Sequence, residues 1–181
     1  RVEGARAPAP ARADRDAMQR RQAGEGEAAV ARLGAAADGR GVHGDHAAAA
    51  LCFEMRLADR PSAVRRRIIA VDDASPDPRI TALLDRLAAA GAVELLRNPR
   101  NLGFALSVNR ALQAAGRADV LLLNADTLPP PGFLDRLVRA AYSADDIATV
   151  TPLSNNGETT SYPRPFVDNP LAGPAEVARI D

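Results

Sequence analysis

Val120–Thr127 reads VLLLNADT, and the interpretation of these eight residues decides the fold. Four apolar residues in succession are too few to make a helix face. They suit a strand covered on both sides. An acid, Asp126, follows at the carboxyl end, and Pro129-Pro130-Pro131-Gly132 then stops regular structure. In open parallel sheets ligands bind just outside the carboxyl ends of the strands. A carboxylate there is a natural ligand for a hard divalent cation that carries phosphates. The plainer reading is that Asp126 caps the next turn.

A second run ends in the same way. Ile68–Val71 is short, apolar and rich in β-branched residues, and it stops at Asp72-Asp73-Ala74-Ser75-Pro76-Asp77. These acids could form a solvated turn and a helix cap. They could equally accept hydrogen bonds from a pyrimidine ring N–H and from ribose hydroxyls. Two acid-ended strands, each followed by helical sequence, point to one crevice in an α/β protein.

Between them lies Asn98–Asn109, NPRNLGFALSVN, in which Asn, Pro and Gly mark a structured loop. Apolar residues at 105, 108, 111, 112 and 115 then take helical spacing. Gly103 permits positive φ or close approach of backbone to a ligand. Asn109, one turn into the helix, could face the same crevice. For Asn101 and Gly103 ordinary loop chemistry is the competing reading.

Four blocks taken together resemble family-2 glycosyltransferases of the GT-A fold, in particular bacterial rhamnosyltransferase-like members. They are IIAVDDASPD (68–77), NPRNLGFALSVN (98–109), DVLLLNADT (119–127) and TVTPLSNNGETTSYP (149–163). Their order and spacing match over roughly residues 65–165. The resemblance implies a Rossmann-like, mainly parallel sheet flanked by helices. It implies that Asp72 and Asp73 hold the nucleoside of a UDP- or dTDP-type sugar. The family's Asp-x-Asp motif here reads Asn124-Ala125-Asp126, so Asp126 is expected to hold Mg²⁺ or Mn²⁺ and Asn124 to make a neutral contact. The activity implied is metal-dependent transfer of a sugar to a glycan or lipid-linked acceptor hydroxyl, in cell-surface polysaccharide synthesis.

Such a transfer also needs a carboxylate to take the acceptor's proton. Glu158 and Asp168 are the nearby acids, and neither sits in a recognisable base motif, so no base is assigned. The family places it farther downstream. The chain alone is therefore expected not to turn over acceptors, and a catalytically silent fragment that at most binds nucleotide is the alternative. Two other classes lack their signatures. A nucleotidyltransferase wants a Gly-rich basic loop after the first strand, and a dinucleotide-dependent oxidoreductase wants Gly-x-Gly-x-x-Gly there.

Composition narrows the field further. Of 181 residues 46% are hydrophobic, but 39 are alanine, which buries little area. The large apolar residues concentrate after residue 50, and so should the core. Twenty-three acids balance 23 bases, every base is arginine, and aromatic residues are 3%. There is neither a basic excess to recruit nucleic acid nor an aromatic platform to stack on bases. Cys52 has no internal partner for a disulfide and reads as a small buried apolar residue. No apolar run reaches the length of a membrane span and no signal-peptide pattern opens the chain, so a cytoplasmic setting is expected, peripheral at the inner membrane face at most. Arg1 suggests that the chain begins inside a longer reading frame.

Residues 1–40 are expected to be a low-complexity Ala/Arg-rich segment, disordered or frayed helix, because Gly24, Gly26 and Gly34 weaken its helical composition. Residues 41–165 form the nucleotide-sugar-binding part of the domain, and 166–181 an irregular tail. The first strand of the sheet should fall near 35–43, where Val42–Asp45 resembles a strand end but the strand body is missing. Its loss would leave neighbouring strands unpaired, and the C-terminal half of the fold is expected to be missing too. His43, Asp45 and His46 are too few ligands for a metal site. Helices are expected over 47–57, 79–90 and 133–142, with strands at Val93–Leu96 and Ile147–Val150. Arg65–Arg67 reads as the solvated entry to the second strand.

Overall fold

A computed structural model describes residues 29–33, 50, 66–125 and 127–170, the first five by backbone alone. Four strands form one sheet: β1 (Ala29–Leu33), β2 (Ile68–Asp72), β3 (Glu94–Arg97) and β4 (Leu121–Asn124). Their order is β3-β2-β1-β4, and every pairing is parallel. Three helices follow three of the strands: α1 (Pro78–Ala89), α2 (Phe104–Ala115) and α3 (Phe133–Ala141).

β2 is the structural centre, buried along its whole length. Its side chains alternate between two cores, as strand periodicity requires. Ile68 and Ala70 pack with Ile80, Leu83 and Leu84 of α1 and with Val93. Ile69 and Val71 pack on the other face with Ala111 and Ala115 of α2. Cover on both faces explains why β2 reads as an unbroken apolar run, whereas β4 has Leu123 buried and Leu122 exposed. Full burial of a side chain such as Ile69 or Leu84 contributes about 1.5–3 kcal/mol each.

Local signals set the helix ends. Asp77 caps α1, its Oδ1 accepting from the Arg79 amide at 2.8 Å, and Pro78 occupies the first turn where no donor is needed. The helix spans expected from apolar spacing over 79–90 and 133–142 agree with α1 and α3 to within a residue, and the strand expected at Val93–Leu96 is β3, shifted by one.

Two expectations are corrected. The first strand is present, at Ala29–Leu33, ahead of the 35–43 window and inside the segment expected to be disordered or frayed helix. It lies between β2 and β4, with Ala31 opposite Ala70 on one side and Leu123 on the other. The neighbouring strands are therefore not left unpaired. AVARL has weak strand propensity, and two open parallel edges that need partners outweigh that local preference. Conversely, Ile147–Val150 joins no ladder and runs as irregular chain. A β-branched run makes a strand only where a neighbour supplies its hydrogen bonds. Ala50 is helical, whereas the rest of 47–57, Val42–Asp45 with His43 and His46, and Cys52 lie outside the described residues.

Candidate functional site

Because all strands are parallel, their carboxyl ends share one edge of the sheet. β2 ends at Asp72, in register with Leu33 of β1 and Arg97 of β3, and β4 ends at Asn124, opposite Arg32. The chain runs outward from β1 to β2 to β3 and then crosses back to place β4 on the far side of β1. The connections therefore diverge between β1 and β4, the place where open α/β sheets form their ligand crevice. Asn124 stands at that point, exposed, and Asp126 follows two positions later, outside the described residues.

The paired acids have different surroundings. Asp72 is 4% exposed; its Oδ1 accepts from the Ser75 amide at 2.9 Å and its Oδ2 from Arg97 Nε at 3.3 Å. Arg97 continues across to Asp85 Oδ1 at 2.8 Å and the Thr81 carbonyl at 3.3 Å, which ties the end of β3 to α1. Asp73 is fully buried. Its Oδ1 accepts from Asn98 Nδ2 at 2.7 Å and the Leu102 amide at 2.8 Å, and its Oδ2 from the Gly103 amide at 2.9 Å. Burial pushes the Asp73 carboxyl up, but the Leu102, Asn98, Gly103 and Ser107 hydrogen bonds outweigh it and hold the group below its ordinary value.

Around this carboxylate the loop between β3 and α2 closes into a polar network. Asn98, also buried, donates its second amide hydrogen to Ser107 Oγ at 2.9 Å and accepts from Arg110 Nη1 at 2.6 Å. Arg110 also caps the Arg97 carbonyl. Gly103 adopts φ 81°, a backbone region unfavourable for other residues, and its amide is shared with Asn101 Oδ1 at 3.0 Å. Asn101 is half-buried in this loop and Asn109 is exposed on α2. The structure thus brings Asp72, Asp73, Asn101 and Gly103 together.

Asn98, Ser107, Arg97 and Arg110 were not singled out from the sequence. One signal was available. Ser107 occupies a core-facing position of a helix whose other inward residues are Val108, Ala111 and Ala115, and a buried polar residue there needs a partner.

Ala74 has φ 58°, between the two acids and Ser75. A left-handed residue with a Cβ costs about 1–2 kcal/mol, of which glycine's extra unfolded-state freedom takes back part. Ala74→Gly is therefore expected to raise stability by about 0.5–1 kcal/mol, read as a higher urea midpoint at unchanged slope. A lower midpoint would show that this turn carries no strain.

Glu158 and Asp168 are exposed and belong to a separate, self-bonded loop. Ser154 bridges Ser161, the Phe166 amide donates to the Glu158 carbonyl at 2.7 Å, and buried Asn169 donates to the Arg164 and Val167 carbonyls. Among the described residues no three His, Cys, Asp or Glu side chains gather closely enough to hold a metal by themselves. None of the described helices is long and apolar enough to cross a membrane.

A parallel α/β sheet flanked by helices, with polar groups collected at its carboxyl edge, is the architecture of the GT-A type. Residues 56–175 match the profile of glycosyl transferase family 2, and the chain belongs to that family. It is similar to a dolichol-phosphate mannosyltransferase of Pyrococcus furiosus, at 25% identity over 108 residues. That match covers 60% of this chain and 30% of the archaeal protein, so the chain spans less than a third of that relative.

Proposed function

We propose that the carboxyl edge of this sheet holds a nucleotide-diphosphate sugar, of UDP or dTDP type, for transfer of the sugar to a glycan or lipid-linked acceptor hydroxyl in cell-surface polysaccharide synthesis. The observation that carries the reading is the placement of Asp72, the 98–103 loop and Asn124 along one edge, beside the divergence of β1 and β4. Asp72 or Asp73 is the acceptor for the ribose or the base, and Asn101 and the Gly103 backbone border the same pocket. Asn109 lies one turn farther along α2, and Asn124 makes a neutral contact to the sugar or ribose. Asp126 would supply the carboxylate for Mg²⁺ or Mn²⁺. A single carboxylate is compatible with such an ion when phosphate oxygens and water complete its shell. When bound, the ion offsets charge growing on the departing diphosphate. The chain's own contribution is orientation, because a donor fixed against a rigid sheet edge meets the acceptor with less entropy to lose. A cytoplasmic setting at the inner membrane face goes with such an acceptor.

Calorimetric titration of the chain with UDP and dTDP in chelator tests this. Asp72→Ala is expected to weaken binding by about tenfold, the loss of one charge-assisted hydrogen bond, with or without metal. Affinity in chelator that ignores the change would move the nucleoside pocket elsewhere.

A further inference from the structure

We infer that Phe104, the first residue of α2, is the platform on which the pyrimidine of the donor stacks, and that its ring sets how tightly the nucleotide is held. The inference rests on the donor reading above and names a further residue of the same site.

Helical geometry places the ring. Ser107, Val108, Ala111 and Ala115 form the buried stripe by which α2 packs over β1 and β2. Phe104 precedes Ser107 and Val108 by three and four residues, so it lies on the same face of the helix. It is nevertheless 51% exposed. The reason is its position along the strands. α2 starts at their carboxyl ends, where Gly103 donates to Asp73 Oδ2 at 2.9 Å, one position beyond the end of β2. Helical side chains lean toward the amino terminus of their own helix. The ring of Phe104 is therefore carried beyond the last residues of the sheet and not onto them. A large apolar side chain on the core stripe stands in solvent because the sheet ends beneath it.

The polar groups of the proposed pocket share that side of the sheet. Val71 packs against α2, and Arg32 of β1 pairs with both Val71 and Asn124, which sets Asn124 on the α2 face as well. Asp73 is bonded to Ser107 of α2 itself. A pyrimidine has a polar edge and two apolar faces; carboxylates and amides suit the edge, and an aromatic ring suits a face. The chain has four Phe, two Tyr and no Trp. No Phe, Tyr or Trp occurs in residues 34–52 after β1, in 73–103 after β2, or in 125–132 after β4. Phe104 is the aromatic side chain that this sequence sets beside the acids.

The test uses the full chain, Phe104→Leu, which keeps apolar bulk but loses the π face, and Phe104→Tyr, which keeps both. Calorimetric titration with UDP and dTDP is expected to show Phe104→Leu binding each about tenfold more weakly, the loss of one base–aromatic stack. The two nucleotides should lose alike, because either base offers a π face. Phe104→Tyr should bind as the wild type does. Proton spectra supply a readout that a purely structural role would not move. H5 and H6 of the uracil of UDP are expected to shift upfield on binding to the wild type and to Phe104→Tyr, under the ring current, and not on binding to Phe104→Leu.

Wild-type affinity in Phe104→Leu overturns the inference. So does an upfield shift that survives in that variant, or its absence in the wild type, which decides the matter even if Phe104→Leu does not fold. In each of these cases nucleotide binding by the wild type leaves the donor reading standing. If the wild type binds neither UDP nor dTDP, the donor reading fails and this inference fails with it.

Discussion

Asp126→Asn is expected to remove the whole metal-dependent increment of donor binding, about 10²-fold, and to leave the circular dichroism of the fold unchanged. Changes to residues that merely support a ligand already cost about 10–100-fold in metal affinity, so loss of the ligating charge should cost at least as much. The expectation stands on chain position. Asn124 closes β4 beside the divergence of β1 and β4, and Asp126 is the first carboxylate after it. Asparagine is nearly isosteric, so packing should be spared while the charge is lost. Calorimetry with UDP in Mn²⁺ and in chelator reads the difference directly. A variant that still gains affinity from Mn²⁺ would remove Asp126 from the metal site.

Asp73→Ala is expected to destabilise the chain by about 3–5 kcal/mol. Deleting the carboxylate takes an acceptor from one Asn98 amide hydrogen, from the Leu102 amide and from the Ser107 hydroxyl, and leaves the Gly103 amide only Asn101 Oδ1; each unsatisfied buried donor costs about 1–3 kcal/mol before relaxation. The pH dependence has a definite sign. The folded Asp73 carboxyl lies below its ordinary value of 3.8, so its contribution is fully present above that value and is lost as pH falls through the lowered one. The gap in urea midpoint between wild type and variant should therefore be widest near neutrality and narrow in acid below about pH 4. A gap that persists unchanged into strong acid would mean that the charge of Asp73 contributes nothing to folding.

Much of this architecture was legible because its signals are local. Ile68–Val71 and Val120–Leu123 are apolar runs stopped by polar residues, and Ile80, Leu83, Leu84 and Leu87 mark a helix face that does not depend on context. β1 was not legible, since its pairing comes from edges supplied by β2 and β4 and not from AVARL itself. Ile147–Val150 failed for the reverse reason, its composition favouring a strand that no neighbour completes. At the site, acids at strand ends were visible as residue types, but their division of labour was not. Nothing in the pair Asp72-Asp73 reveals that one is held by Asn98, Ser107 and two amides while the other meets Arg97 and the Ser75 amide. That difference is created by a loop some 25 residues away in the chain.

The middle strand of the sheet also bears on how the chain reaches this state. β2, α1, β3, α2 and β4 are consecutive, and each meets its neighbours through short connections. β1 must instead find Ile68 across a long excursion and Leu121 across nearly the whole domain. Distant pairings are slow to form because chain closure costs entropy before any contact returns it. A strand so poor in large side chains offers little early adhesion. Insertion of β1 between β2 and β4 is thus expected to come late in folding, and until it happens two parallel edges would stand open to the same strand from another molecule. The step that completes the sheet is then also the one expected to be most open to exchange between chains.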